Sequence, residues 1–176
     1  MRRSALAERY QLDGEAVVLR EVEASDQAFL ADLYATTRED ELSLVEWPSD
    51  AERRAFLDLQ FRAQREHYTR HYPQSDHRLI VRGGVPVGRI WVHAAESAVT
   101  ILDMALLPSE RGRGIGALLV EELVRDAAST STPLKVCVQK LNPRSLNLLV
   151  RLGFTVYEED ASNVWLSHPA TEAAVA

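Results

Sequence analysis

The stretch Val99–Ala128, VTILDMALLPSERGRGIGALLVEELVRDAA, decides the fold. Val99, Ile101, Leu102, Met104, Ala105, Leu106 and Leu107 form a nearly continuous apolar run, as expected of a central strand covered on both faces. Pro108 has no backbone N–H and ends the ladder. Arg111-Gly112-Arg113-Gly114-Ile115-Gly116 is a glycine-rich turn. From Ile115 onward, Leu118, Leu119, Leu123 and Ala127 recur at helical spacing, with Glu121, Glu122, Arg125 and Asp126 on the other side. The pattern is a buried strand, a tight turn and an amphipathic helix.

A helix that begins at such a turn presents unpaired N–H groups at its positive end. Gly112, Gly114 and Gly116 lack a Cβ, so a ligand can come against the backbone. Arg111 and Arg113 add two cations. Donors, dipole and arginines together suit a phosphate or diphosphate. Hydrogen bonds to charged groups contribute roughly 1.5–3 kcal/mol each, and micromolar binding needs about 8 kcal/mol. Three kinds of site fit. A dinucleotide fold would need G-x-G-x-x-G and an acidic ribose contact, and a P-loop would need G-x-x-x-x-G-K-S/T. Neither pattern occurs, and the lysines are Lys135 and Lys140 alone. The third is an acyl-CoA site. The plain alternative is a helix-start turn with two solvated arginines.

The segment Arg111 to Gly116 resembles the signature of the GCN5-related N-acetyltransferases (the GNAT superfamily): Gln or Arg, two residues, Gly, one residue, then Gly or Ala. Met104-Ala105-Leu106-Leu107-Pro108 is similar to the strand that leads into it. A second match, from Asn142-Pro143-Arg144-Ser145 to Leu152-Gly153-Phe154, follows in the family's order and separation. The resemblance spans roughly Ala16 to Leu166.

The 176-residue chain is 46% apolar and 26% charged, ordinary for a globular protein. Its length suits one domain burying about 70% of its unfolded surface. A formal charge of −6 disfavours nonspecific binding to nucleic acid or membrane surfaces. No apolar run approaches the ~18 residues of a transmembrane helix, and the apolar stretch after Met1-Arg2-Arg3 is too short for a signal peptide. A single cysteine, Cys137, excludes an intramolecular disulfide and a cysteine-based zinc site. A reducing cytoplasm is the simplest setting.

Residues 1–15 read as a loose arm. Ala16–Arg20 is a short strand, and Ser25 or Asp26 can cap a helix through Phe29, Leu30, Leu33 and Tyr34. Thr36–Pro48 is polar and irregular. Ser49 and Glu52 have capping-box spacing for a helix reaching about His71. Phe56, Leu59 and Ala63 form its apolar stripe, with Leu57, Phe61 and Tyr68 beside it, while Gln60, Gln64 and His67 share a neighbouring face. His77–Arg82 and Val85–His93 are strands joined by Gly83-Gly84, a hairpin signal. Leu134–Val138 is a further buried strand, which a single helical crossover makes parallel to Val99–Leu107. Asn142 and Pro143 open a further helix, capped at its C-terminus by Gly153. Phe154–Glu158 and Asn163–Leu166 close the sheet, and residues 167–176 read as a disordered tail.

The order is β-α-α-β-β-β-α-β-α-β-β: an α/β chain with a mixed sheet in one domain, residues 16–166. It agrees with the GNAT acyl-CoA N-acyltransferase fold. The resemblance implies that Val99–Leu107 and Leu134–Val138 splay apart and that the gap admits the pantetheine arm of acetyl-CoA, paired much as an added strand would be. It also implies roles for residues. Backbone N–H groups near Leu106 and Leu107 hold the pantetheine and polarise the thioester carbonyl. Arg111, Gly112, Arg113, Gly114, Ile115 and Gly116 bind the diphosphate. Asn142 and Ser145 contact the cofactor arm. Many relatives carry a tyrosine general acid four residues before the helix-ending glycine, and this chain has Leu149 there, leaving water, Ser145 or Tyr157 as substitutes.

Asp103 is the candidate base: a carboxylate in an apolar run is expected to titrate high. The plain reading is a buried aspartate satisfying backbone donors. His67 and His71 are helix histidines near the acceptor side, and Cys137 reads as a small core residue. Glu39, Asp40, Glu41 and Glu46 would attract a cationic amine, or form a solvated acidic loop. The expected activity is acetyl transfer from acetyl-CoA to a primary amine of a small molecule or peptide, by direct attack in a ternary complex and without a metal. The partners expected are that amine, no nucleic acid, no membrane, and at most a second copy of the chain. The alternatives are an acyl-CoA-binding module without turnover and a nucleotide-binding regulatory domain.

Overall fold

The computed structural model of the protein describes residues 6–169. Among them, eight strands form one sheet in the order β1-β2-β3-β4-β5-β6-β8-β7. The strands are β1 (Arg9–Leu12), β2 (Glu15–Glu21), β3 (Asp76–Arg82), β4 (Val85–Ala94), β5 (Val99–Leu106), β6 (Leu134–Gln139), β7 (Thr155–Glu159) and β8 (Asn163–His168). The helices are α1 (Gln27–Thr37), α2 (Glu39–Leu42), α3 (Asp50–His71), α4 (Ile115–Ser129) and α5 (Pro143–Arg151). All neighbouring strands pair antiparallel except β5 and β6. No helix of the described residues is long and apolar enough to cross a membrane.

The expected element order holds with three corrections. The arm expected over residues 1–15 contains β1, paired with β2 from Arg9↔Val18 to Leu12↔Glu15. The connection is Asp13-Gly14, both at positive φ (51° and 80°), a two-residue turn whose twist matches that of the strands. Tyr10 is buried against the core, which pins the hairpin. Residues 1–5 lie outside the described residues. At the other end, Ser167 and His168 belong to β8 rather than to a tail, because they pair with β6; residues 170–176 are outside the described residues. Between the first two long helices, Glu39–Leu42 makes one helical turn, anchored by the buried Leu42.

Two apolar clusters cover the sheet. On one face α4 buries Ile115, Leu119, Leu123 and Ala127 against Val99, Ile101, Leu134 and Val136. On the other, Leu30 and Tyr34 of α1 meet Leu57 and Phe61 of α3 over Leu79. The buried stripe of α3 is therefore Leu57 and Phe61; Leu59, expected inside, is 61% exposed. Ser49 caps this helix by accepting from the Glu52 N–H at 3.2 Å.

Candidate active site

β5 and β6 are paired over three positions, Val99↔Leu134, Thr100↔Lys135 and Ile101↔Val136. Beyond them β5 runs on to Leu106 and β6 to Gln139 without pairing to each other, so a notch opens toward the carboxyl ends of both strands. The cause is local. Against β4, Trp91 faces Asp103 but Val92 faces Ile101, leaving Leu102 as an extra residue on β5. Such a bulge bends its strand, and this one sits where the two strands part. The Tyr68 hydroxyl of α3 donates to the Leu102 carbonyl at 2.9 Å and fastens the bulge from the α3 side.

The bulge also reverses which side chains face which way. Before it, Val99 and Ile101 pack toward α4; after it, Met104 and Leu106 do. Asp103 thus turns to the α3 face. There its Oδ2 accepts from Arg89 Nε at 2.7 Å, and Arg89 Nη2 donates to Gln64 of α3 at 2.7 Å. Arg89 is 1% exposed and Asp103 20%. The expectation that Asp103 satisfies backbone donors gives way to an ion pair, with the carboxylate on its more accessible side. Burial, with Asp103 second, drives the Tyr68 phenol far above the usual tyrosine range, so it stays protonated as a donor.

The backbone along the notch follows strand alternation. The Leu107 N–H donates to Val87 of β4 at 2.9 Å, so Leu107 does not offer its amide to the gap as expected. Leu106, one residue earlier, turns its N–H and carbonyl the other way, into the notch. Its carbonyl accepts from Arg111 Nε at 2.9 Å.

At the open end, Gly114 precedes α4 as its N-cap, in the left-handed region at φ 86°, with no side-chain cap among the described residues. The first α4 bond is from the Leu118 N–H to the Gly114 carbonyl, so the amides of the first turn point outward. A Cβ at Gly112 would meet nothing within 4 Å. Gly116 instead lets α4 close on the sheet, its missing Cβ lying 3.5 Å from Met104 and 3.7 Å from Leu148. Ile115 is fully buried and anchors the turn.

The two arginines of the turn differ. Arg113 is 57% exposed, with Glu110 at 3.7 Å. Arg111 is not a free cation: besides Leu106, it donates through Nη2 to the Thr36 carbonyl at 3.2 Å and Thr36 Oγ1 at 3.1 Å. Asn142 caps α5 by accepting from the Ser145 N–H at 3.1 Å. Leu149 is buried and belongs to the α4-side core. Tyr157 lies with Lys135, whose ammonium is 5.4 Å from its ring centroid, and within electrostatic reach of the Cys137 thiol. His67 and His71 are exposed on α3.

Cys137 is exposed, not core. Val136 and Val138 point to the α4 side, which leaves Lys135, Cys137 and Gln139 on the other face. Desolvation raises the Cys137 thiol above its ordinary range. Of the acidic residues, Glu41 pairs with Arg38 at 2.8 Å, and Glu39, Asp40 and Glu46 are exposed. Among the described residues, no group of three His, Cys, Asp or Glu could hold a metal.

Against known proteins, the sequence profile of the Acetyltransferase (GNAT) family matches residues 41–154. No curated protein matches the chain. Among solved structures, the PaiA N-acetyltransferase of Thermoplasma acidophilum in complex with coenzyme A superposes with a TM-score of 0.67 at 13% identity, covering 87% of this chain and 98% of that one. An acetyltransferase from Thermus thermophilus gives 0.64 at 20% identity over 87% and 96%. The structure of yncA from Salmonella typhimurium with its cofactor acetyl-CoA gives 0.56 at 16% over 91% and 97%.

Proposed function

The chain belongs to the Acetyltransferase (GNAT) family, and on that premise we propose that it transfers an acetyl group from acetyl-CoA to a primary amine of a small molecule or peptide. The observation that carries this reading is the stretch of β5 beyond Ile101 that β6 no longer pairs, next to the uncapped start of α4. An extended thioester arm can pair with the free edge while an anion meets the helix end. Solved relatives of the same fold are complexed with coenzyme A or acetyl-CoA.

Acetyl-CoA supplies an activated acyl group as a thioester. In this assignment the Leu106 N–H binds the arm in the notch. The α4 amides from Gly114 to Gly116, with Gly112 and Arg113, hold the diphosphate. Asn142 and Ser145 border the arm from the start of α5. Asp103 stands on the α3 face, where the bulge aims it, and takes the proton that the amine loses as its nitrogen attacks the carbonyl carbon. The C–S bond then breaks and CoA leaves as a thiolate, which takes its proton from water. Leu149 has no proton to give, and a thiolate of ordinary pKa, about 8.5 by analogy with Cys, can depart unassisted.

Leu149 also favours a second reading, an acyl-CoA-binding module without turnover. Thiol release from acetyl-CoA over a panel of primary amines separates the two. Release with any amine supports transfer. Calorimetric binding of CoA with no release across the panel supports the module, and absence of binding overturns both.

A further inference from the structure

Two contacts reach the same corner of the fold from opposite lips of the notch. From the β5 side, Arg111 bonds the Leu106 carbonyl and both oxygens of Thr36. Thr36 lies in the last turn of α1, whose final carbonyls lack helical partners. An arginine there is well matched, since it fills an orphan acceptor and opposes the negative helix end. Thr36 Oγ1 donates to Leu33, which leaves its lone pairs to accept from Arg111. From the β6 side, Arg38 joins Gln139, the last residue of β6, with Nη1 to Oε1 at 3.5 Å, and holds Glu41 of α2 at 2.9 Å. The corner between α1 and α2 is thus tied to the ends of the two strands that part.

Resting on the acetyl-CoA reading above, we infer that Arg111 and Arg38 are positioning residues that couple the width of the notch to the α1–α2 wall on the acceptor side. Arg111 is thereby assigned to bracing rather than to the diphosphate, for which Arg113 is the available cation. Occupying the notch changes the separation of its lips, and both braces pass that change to the same corner. The amine then meets a wall set by the bound thioester.

The discriminating variants are Arg111→Lys and Arg38→Ala. Lysine keeps the charge an anion would need, but one ammonium cannot span the Leu106 and Thr36 carbonyls as a planar fork does. Hydrogen exchange of residues 33–45 is measured with and without saturating CoA, and CoA affinity is measured by calorimetry. In the wild type, CoA is expected to slow exchange there by about fivefold, a typical coupling. In each variant that slowing is lost, while CoA affinity stays within about threefold of wild type, under 1 kcal/mol. With an amine that is turned over, the variants raise the amine KM and leave the acetyl-CoA KM unchanged. The inference is overturned by slowing that persists in both variants, or by an Arg111→Lys loss of CoA affinity of about tenfold or more. Wild-type CoA binding with unchanged exchange at 33–45 sinks this inference alone. Failure of the wild type to bind CoA sinks it together with the proposed function.

Discussion

Arg89 Nε lies 2.7 Å from Asp103 Oδ2, and the guanidinium is the more deeply buried partner, 1% exposed against 20%. Deleting the carboxylate therefore strands a charge that water cannot reach, whereas deleting the arginine leaves a carboxylate that water can. Asp103→Ala is expected to lower stability by about 3–5 kcal/mol in urea unfolding, and Arg89→Met by less. Asp103→Asn keeps an oxygen toward Arg89 and separates structure from chemistry. It should bind CoA as the wild type does and lose about 10²-fold in turnover as a missing base. Wild-type turnover in Asp103→Asn would remove Asp103 from the mechanism.

Tyr68 holds the bulge through its bond to the Leu102 carbonyl. Tyr68→Phe leaves that carbonyl without the hydroxyl and is expected to cost about 1 kcal/mol in thermal or urea unfolding. Acetyl transfer should fall further than CoA affinity, because the bulge aims Asp103 while the α4 end is untouched. Equal losses in both would place the role of Tyr68 in folding alone.

Gly114 starts α4 in a conformation that side chains adopt with strain. Gly114→Glu adds that strain and sets a carboxylate among the amides proposed for the diphosphate. The expected result is a folded variant by circular dichroism whose CoA affinity is at least about tenfold weaker, or 1.4 kcal/mol. A folded Gly114→Glu with normal affinity would move the site elsewhere.

His77 stacks face to face on Trp91, ring centroids 4.0 Å apart, and its Nε2 is buried without a partner among the described residues. Burial first, and Arg89 second, lower its pKa from 6.5 to about 4. The unfolded chain therefore binds the proton more readily between those values. Stability from this residue is complete above about pH 6.5 and lost as pH falls toward 4. Between pH 7.5 and 4.5 the loss is about 2–3 kcal/mol. In His77→Phe, which can still stack, the urea midpoint should fall less over this interval. An identical decline in both proteins would contradict the assignment.

Much of the fold could be read from periodicity and punctuation. Gly83-Gly84 turns the β3–β4 hairpin, Asn142 caps α5, and Gly153 ends it at φ 87°. The same punctuation was present at Asp13-Gly14, so β1 was legible and a four-residue strand simply offered little alternation to support it. Cys137 was legible too, since it shares the parity of Lys135 and Gln139. The bulge at Leu102 was not. In a strand that is apolar at nearly every position, an extra residue leaves no clear break in the pattern, and without it Asp103 falls on the wrong face. The tether of Arg111 was equally hidden, because Thr36 lies 75 residues away and an arginine in a glycine-rich turn reads the same whether free or engaged.

The three-position ladder between β5 and β6 has a mechanical consequence. It is the narrowest seam in the sheet, and the trio β6, β8 and β7 hangs from it. Pulled apart by its ends, or attacked by a protease, the protein should peel there first. A molecule laid along the gap would act as a stitch across that seam, and at about 100 times its Kd would add roughly 2.7 kcal/mol to the resistance of the whole.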